Sequence, residues 1–274
     1  MTTFRRSILA TVACAVALSS PAWAQTAAPA APAYEPKVGQ AGKDVIWVPT
    51  PQTVVDRMLE MAELKADDFL VDLGSGDGRT VITAAKRGVR AHGIEYNPDM
   101  VVLSKRAAEA EGVAGRATFE QADIFKSDFS HATVVTLFLL PQLNLRLRPT
   151  LLDMKPGTRV VSNSFTMDDW EPDESDEVKV GCPNYCSVYK WTVPAKVEGT
   201  WQLGNKQLVL TQTFQKLEGA LREGGKATPI SDARMDGARI IFTAGKERYA
   251  GEVDGRSMKG TINGRTAWSA TRSN

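Results

Sequence analysis

The segment Asp72-Leu73-Gly74-Ser75-Gly76-Asp77-Gly78 constrains this chain more than any other. Three glycines at alternate positions follow a short apolar run, Phe69–Leu73, and precede a helix-patterned stretch, Arg79–Lys86. A strand must turn sharply into a helix there, with its backbone open to close approach by a ligand. The helix that follows presents unpaired N–H groups to the loop. Asp72, at the strand's end, disfavours a phosphate in that position and favours a ligand with a cationic end.

Further apolar runs lie at 90–95, 117–122, 132–139 and 159–162, with helical stretches between them. Asn97-Pro98 starts one helix, with Asn as cap and Pro in the first turn; Lys155-Pro156-Gly157 ends another. The 132–139 run is the most apolar and reads as a buried central strand. Alternating β and α elements with continuous apolar strands predict an α/β fold, a Rossmann-like sheet with helices on both faces.

The pattern changes after Pro194. Residues 196–274 hold 11 of the 22 glycines and one of the 14 prolines. Asp236-Gly237, Asp254-Gly255 and Asn263-Gly264 separate short alternating runs, a strong hairpin signal. This predicts a small C-terminal antiparallel β module. Charge divides at the same boundary, net −6 over 45–195 and net +5 over 196–274. The near-balanced whole, net +1, excludes a strongly basic nucleic-acid binder, and no nucleic-acid partner is expected.

The N-terminus reads as a targeting segment. Arg5 and Arg6, an apolar run over 8–18, and Ala22-Trp23-Ala24 are the three parts of a signal peptide spanning 1–24. The run is too short to span a bilayer, so no transmembrane helix is expected after cleavage. Residues 25–44, rich in Ala and Pro, read as an extended linker. The expected organisation is then a signal peptide over 1–24, the linker over 25–44, a catalytic-type α/β domain over 45–194 and the β module over 195–274. An exported protein, periplasmic or secreted, follows. Cys182 and Cys186 are the only cysteines left after cleavage, and an oxidising compartment can join them. With two histidines, neither near these cysteines, no metal site is expected.

Two more acids sit at strand ends. Glu95 closes the second strand, where a carboxylate can accept from both hydroxyls of a ribose. Asp123 follows the third strand and can accept from an exocyclic adenine amine, with Ile124 as the apolar wall beside the ring. Three acids at three successive strand ends describe one ligand site.

Asp72 to Gly78, Glu95 and Asp123 together resemble the cofactor site of class I S-adenosylmethionine-dependent methyltransferases. The resemblance implies a seven-stranded sheet whose last strand, over 187–193, is antiparallel. It implies S-adenosyl-L-methionine as cofactor, bound by Asp72, Gly74, Ser75, Gly76, Gly78, Glu95, Asp123 and Ile124. A narrower resemblance is to bacterial relatives of the family of lysine methyltransferases that act on the c-ring protein of ATP synthase. It rests on Trp47-Val48-Pro49-Thr50-Pro51 and on the 136–148 segment with Pro156-Gly157-Thr158-Arg159-Val160-Val161-Ser162. It implies a nitrogen acceptor such as a protein lysine. The Asn/Asp-Pro-Pro-Tyr type motif of many amine methyltransferases is absent after the fourth strand, where Leu140-Pro141-Gln142-Leu143-Asn144 stands. The acceptor is therefore a protein or a small molecule.

Methyl transfer from a sulfonium to a neutral nucleophile needs positioning and exclusion of water more than a dedicated base. Asn144, Thr50 and Tyr96 are the candidates for lining the transfer site. Residues 168–177 hold seven acids around Trp170, read either as a solvated loop or as an acidic rim for a lysine-bearing acceptor. The cofactor is made in the cytosol while the N-terminus reads as exported. An exported binding protein that kept the scaffold without catalysis is therefore the alternative reading.

Overall fold

The computed structural model describes residues 1–2 and 34–273. The signal peptide expected over 1–24 lies outside the described residues, apart from Met1 and Thr2, and so do residues 25–33 of the expected linker. Among the described residues no helix is long and apolar enough to cross a membrane.

Helix α1 (Gln52–Met61) leads into β1 (Phe69–Leu73), whose last four residues are buried. The glycine loop then feeds α2 (Arg79–Lys86), followed by β2 (Arg90–Glu95). Helix α3 (Pro98–Ala110) starts as its sequence dictates: the Asn97 side chain accepts from the backbone N–H of Asp99 and Met100, and Pro98 takes the first turn. Next come β3 (Ala117–Gln121), β4 (Val134–Leu137), α4 (Pro141–Leu152) and β5 (Arg159–Asn163). All four residues of β4 are buried, as a central strand covered on both faces requires. An edge strand β6 (Glu174–Glu177) and β7 (Ser187–Thr192) complete a seven-stranded sheet in the order β3-β2-β1-β4-β5-β7-β6. β7 runs antiparallel to both neighbours, in the place expected for the last strand. One apolar layer joins α1, α2 and α3 to the sheet, and a second includes Leu147 and Leu151 of α4 with Trp170 and Trp191.

The β module closes on itself. Strands β8 (Gly199–Leu203), β9 (Lys206–Thr213), β10 (Lys216–Glu223), β11 (Lys226–Asp236), β12 (Arg239–Ala244), β13 (Glu247–Asp254), β14 (Ser257–Ile262) and β15 (Thr266–Arg272) form an eight-stranded antiparallel barrel. Closure rests on a short pairing of β15 with β8, Thr271 opposite Gln202 and Arg272 opposite Trp201. The interior is filled by side chains such as Trp201, Phe242, Tyr249 and Trp268, with Phe242 and Tyr249 stacked 4.6 Å apart.

The acids of the 168–177 stretch are exposed, and four of them are ion-paired. Asp169 pairs with Arg148, Glu174 with Lys190 and Asp176 with Arg57. Glu171 pairs with Lys216 of the barrel at 2.6 Å, and Gln215 donates to the Glu171 carbonyl at 2.8 Å. Trp170 stacks on Phe214. Glu171, through Lys216, and Asp173, through Gln215, tie the barrel to the sheet, while the other three pairs stay within the α/β domain.

Candidate active site

A cleft opens at the carboxyl ends of β1, β2 and β4, where ligands bind in sheets of this kind. Its wall includes Asp72, Gly74, Ser75, Gly76, Asp77, Glu95, Tyr96, Asp123, Ile124, Phe138 and Leu139, covered by residues 40–50. Among the described residues, none of the barrel lines it.

Asp72 lies between its register partners Gly93 on β2 and Thr136 on β4, and is buried. Thr136 Oγ1 donates to its Oδ1 at 2.6 Å. Burial pushes the Asp72 carboxyl up to about 7, and the nearby charges of Glu95 and Asp77 push the same way against the hydrogen bonds from Thr136 and Thr80. A cation brought to this carboxylate would relieve both effects.

Glu95 ties the loop together. Its Oε2 accepts from Gly76 N at 3.0 Å and its Oε1 from Asn97 N at 2.8 Å, so each oxygen keeps a lone pair for a further donor. Gly76 has φ +54°, and a side chain there would meet the Trp47 indole at 2.7 Å. Ser75 Oγ is buried beside the loop without a hydrogen-bond partner among the described residues.

Asp123 accepts from Phe125 N at 3.0 Å through Oδ1 and from Lys43 Nζ at 3.0 Å through Oδ2. Both contacts, the backbone one first, hold its carboxyl below the usual range. Ile124 stands beside it on the wall. Tyr96 is half exposed, with Lys43 Nζ 5.3 Å from its ring centre, and so lies on the Asp123 side of the cleft. Thr50 is buried on the wall; its Oγ1 accepts from Asn163 Nδ2 at 3.4 Å and its carbonyl from Arg79 at 2.7 Å.

Two of the residues picked from the sequence are elsewhere. Gly78 does not line the cleft. It caps α2 at φ +81°, and a side chain there would strike Phe119 and Ser104 at 2.8 Å. Asn144 is fully buried in α4 and its Nδ2 donates to the carbonyls of Phe165 and Thr166, both at 3.2 Å. It braces the chain after β5 and does not reach the cleft wall.

Residues 40–44, the end of the stretch read from composition as a linker, line the cleft. Gly39 N donates to the Trp47 carbonyl at 2.8 Å, Trp47 N to the Gln40 carbonyl at 2.9 Å and Gly42 N to the Val45 carbonyl at 2.8 Å. The result is a tight strap that carries Lys43 and Trp47 over the cleft. The local signal was present in Gly39 and Gly42 ahead of Trp47, but the Ala/Pro bias upstream masked it. Phe138, Arg79 and Asn163 were also missed. Arg79 links the Asp77 carboxylate to the Thr50 carbonyl, a contact between segments 29 residues apart.

A family model for the ANTKMT methyltransferase domain matches residues 72–174. A protein-lysine N-methyltransferase of Saccharolobus islandicus is 45% identical over 152 residues, 54% of this chain and 94% of that protein. The human lysine N-methyltransferase of the ATP synthase C-subunit is 38% identical over 128 residues, and the match spans 54% of its length, about half. A solved RNA methyltransferase from Salinibacter ruber, in complex with S-adenosyl-L-homocysteine, is 48% identical with a TM-score of 0.52, over 55% of this chain and 96% of that one.

The cleft suits S-adenosylmethionine. It offers a buried carboxylate toward a cationic end, a second carboxylate with spare lone pairs, a hydroxyl without a partner among the described residues, and a glycine turn that a Cβ would fill. The chain belongs to the same family as the Saccharolobus islandicus enzyme, matched by the ANTKMT methyltransferase model, and it is an S-adenosylmethionine-dependent methyltransferase.

Proposed function

We propose that this chain methylates the ε-amine of a lysine in a protein. The observation that carries the reading is the 45% identity across 94% of the Saccharolobus islandicus protein-lysine N-methyltransferase. The human relative, a lysine N-methyltransferase, supports the same acceptor.

Within this reading Asp72 faces the ammonium of the cofactor's amino-acid end and Ser75 completes its polar contacts. Gly74 and Gly76 let the backbone pass close to the cofactor. Glu95 accepts from the ribose hydroxyls, Asp123 accepts from the adenine amine, and Ile124 packs on the ring. Bound S-adenosylmethionine supplies an electrophilic sulfonium methyl. The chain's part is to align a neutral amine with it and to keep water out. Thr50, held by Asn163 and Arg79, is the polar group best supported for orienting the incoming amine. Tyr96 belongs with the nucleoside end, beside Asp123.

We also assign the protein to an oxidising compartment outside the cytosol. The signal-type segment over 1–24 and the disulfide between Cys182 and Cys186 support this.

Methyl-labelled S-adenosylmethionine, incubated with the protein and a whole-cell extract, tests the acceptor. Label recovered as N-methyllysine after acid hydrolysis of the protein fraction is the expected result. Label in nucleosides of the RNA fraction, the acceptor class in the name of the Salinibacter ruber relative, would overturn it.

A further inference from the structure

Between β6 and β7 the chain makes a short turn, Cys182-Pro183-Asn184-Tyr185-Cys186, closed by the Cys182–Cys186 disulfide. The turn is anchored on α1, where Thr53 Oγ1 donates to the Gly181 carbonyl at 3.1 Å. Val178 N donates to the Cys186 carbonyl at 2.9 Å on its other side. At its tip Tyr185 has φ +60° and is 46% exposed, an orientation an aromatic residue adopts only when its surroundings impose it.

The imposed position is specific. The Tyr185 ring meets Phe138 edge-on at 5.3 Å and Phe165 at 6.1 Å, and Phe138 stacks on Phe165 at 6.1 Å. Phe138 is itself a wall residue of the cofactor cleft. Three rings from three segments, the ends of β4 and β5 and the disulfide turn, therefore meet at the edge of the site.

Resting on the lysine reading above, we propose that Phe138, Phe165 and Tyr185 form the entrance for the acceptor side chain. This aromatic cage takes an alkylammonium and its methylated forms, and the disulfide holds Tyr185 in it. Aromatic faces attract ammonium and methylammonium groups, and their apolar surface packs on a four-carbon stem. The cage adds no proton acceptor. The lysine enters as the ammonium, its proton leaves to solvent at the mouth, and the rings then hold the neutral amine by its stem with the lone pair open.

The test uses the full chain saturated with S-adenosyl-L-homocysteine and two probes of one shape, (4-hydroxybutyl)trimethylammonium and the neutral 5,5-dimethylhexan-1-ol. The cation is expected to bind more tightly than the alcohol by about fivefold or more. Tyr185→Ala and the double variant Cys182→Ser/Cys186→Ser are expected to erase that difference, while Tyr185→Phe keeps it. Unchanged S-adenosyl-L-homocysteine affinity in each variant shows that the fold survives. Equal binding of the two probes to the wild-type chain, or an undiminished preference in Tyr185→Ala, would overturn the cage. A preference lost in Tyr185→Ala but kept in the cysteine variant would overturn the role of the disulfide alone. Cation preference together with label outside N-methyllysine would overturn the lysine reading and leave the cage standing.

Discussion

Lys43 reaches 80 residues along the chain to Asp123, its Nζ 3.0 Å from the carboxylate Oδ2. The strap over the cleft is thus tied to the third strand's end, at the carboxylate we assign to the adenine amine. The contact raises the Lys43 pKa, first through Asp123 and then through Asp44. It also shares Asp123 Oδ2 with any ligand donor that arrives there.

This tie predicts a mobile strap when it is cut. Lys43→Ala is expected to speed amide hydrogen exchange at Gly39 and Trp47 by up to about fivefold in the ligand-free chain, the range of an exposed ion pair. The effect should shrink at high salt. Exchange at Trp47 equal to wild type would show that the strap holds without the pair.

Glu95 carries the sharpest test of the cofactor site. Its loss removes the ribose acceptors and the support of Gly76 N. Glu95→Ala is expected to weaken S-adenosylmethionine binding by roughly ten- to several-hundred-fold, read by calorimetry. Near wild-type affinity in a folded variant would remove Glu95 from the site.

Asp72 makes binding depend on pH. Its folded value of about 7 stands above the ordinary 3.8. Its contribution to stability is therefore present below about 3.8 and is lost as pH rises through about 7. The difference corresponds to at most about 4 kcal/mol. Asp72→Asn keeps the Thr136 bond and is expected to raise the melting temperature of the ligand-free chain at pH 8. It should also weaken cofactor binding, because the ammonium loses its counter-charge. In the wild-type chain, affinity should tighten from pH 6 to pH 8, with proton release on binding at pH 6. Flat affinity across that range would show that Asp72 does not face the cation.

The acids of 168–177 should behave as structural groups. Phe214→Ala removes the stack on Trp170 and is expected to lower stability by about 1–3 kcal/mol in thermal unfolding. Glu171→Gln cuts only an exposed pair and should shift the transition by a degree or two, with acceptor KM unchanged. A KM that rises severalfold in Glu171→Gln would return these acids to substrate recognition.

Much of the site was legible in the sequence because its signals are local. A glycine turn after an apolar run, and acids at the next two strand ends, follow from the geometry of a parallel sheet, which carries successive carboxyl ends to one edge. Asp72, Glu95 and Asp123 therefore converge without knowledge of any side-chain contact. Asn144 and Gly78 misled for the same reason. Each sits in a suggestive segment, but Asn144 is turned by α4 toward the carbonyls of Phe165 and Thr166, and Gly78 is needed by Phe119 and Ser104.

The sequence by itself determined the α/β alternation, the antiparallel character of the last 80 or so residues, the cofactor class and the possibility of a Cys182–Cys186 link. Only the tertiary structure decided what pairs at a distance. The strap closes over the cleft because Lys43 finds Asp123 and Trp47 finds the room left by Gly76. The β module becomes a barrel because β15 returns to β8. Tyr185 reaches Phe138 because a disulfide turn standing on α1 brings it there. Side-chain partners separated by tens of residues leave no periodic trace in either segment, since each is selected by the other's position in space.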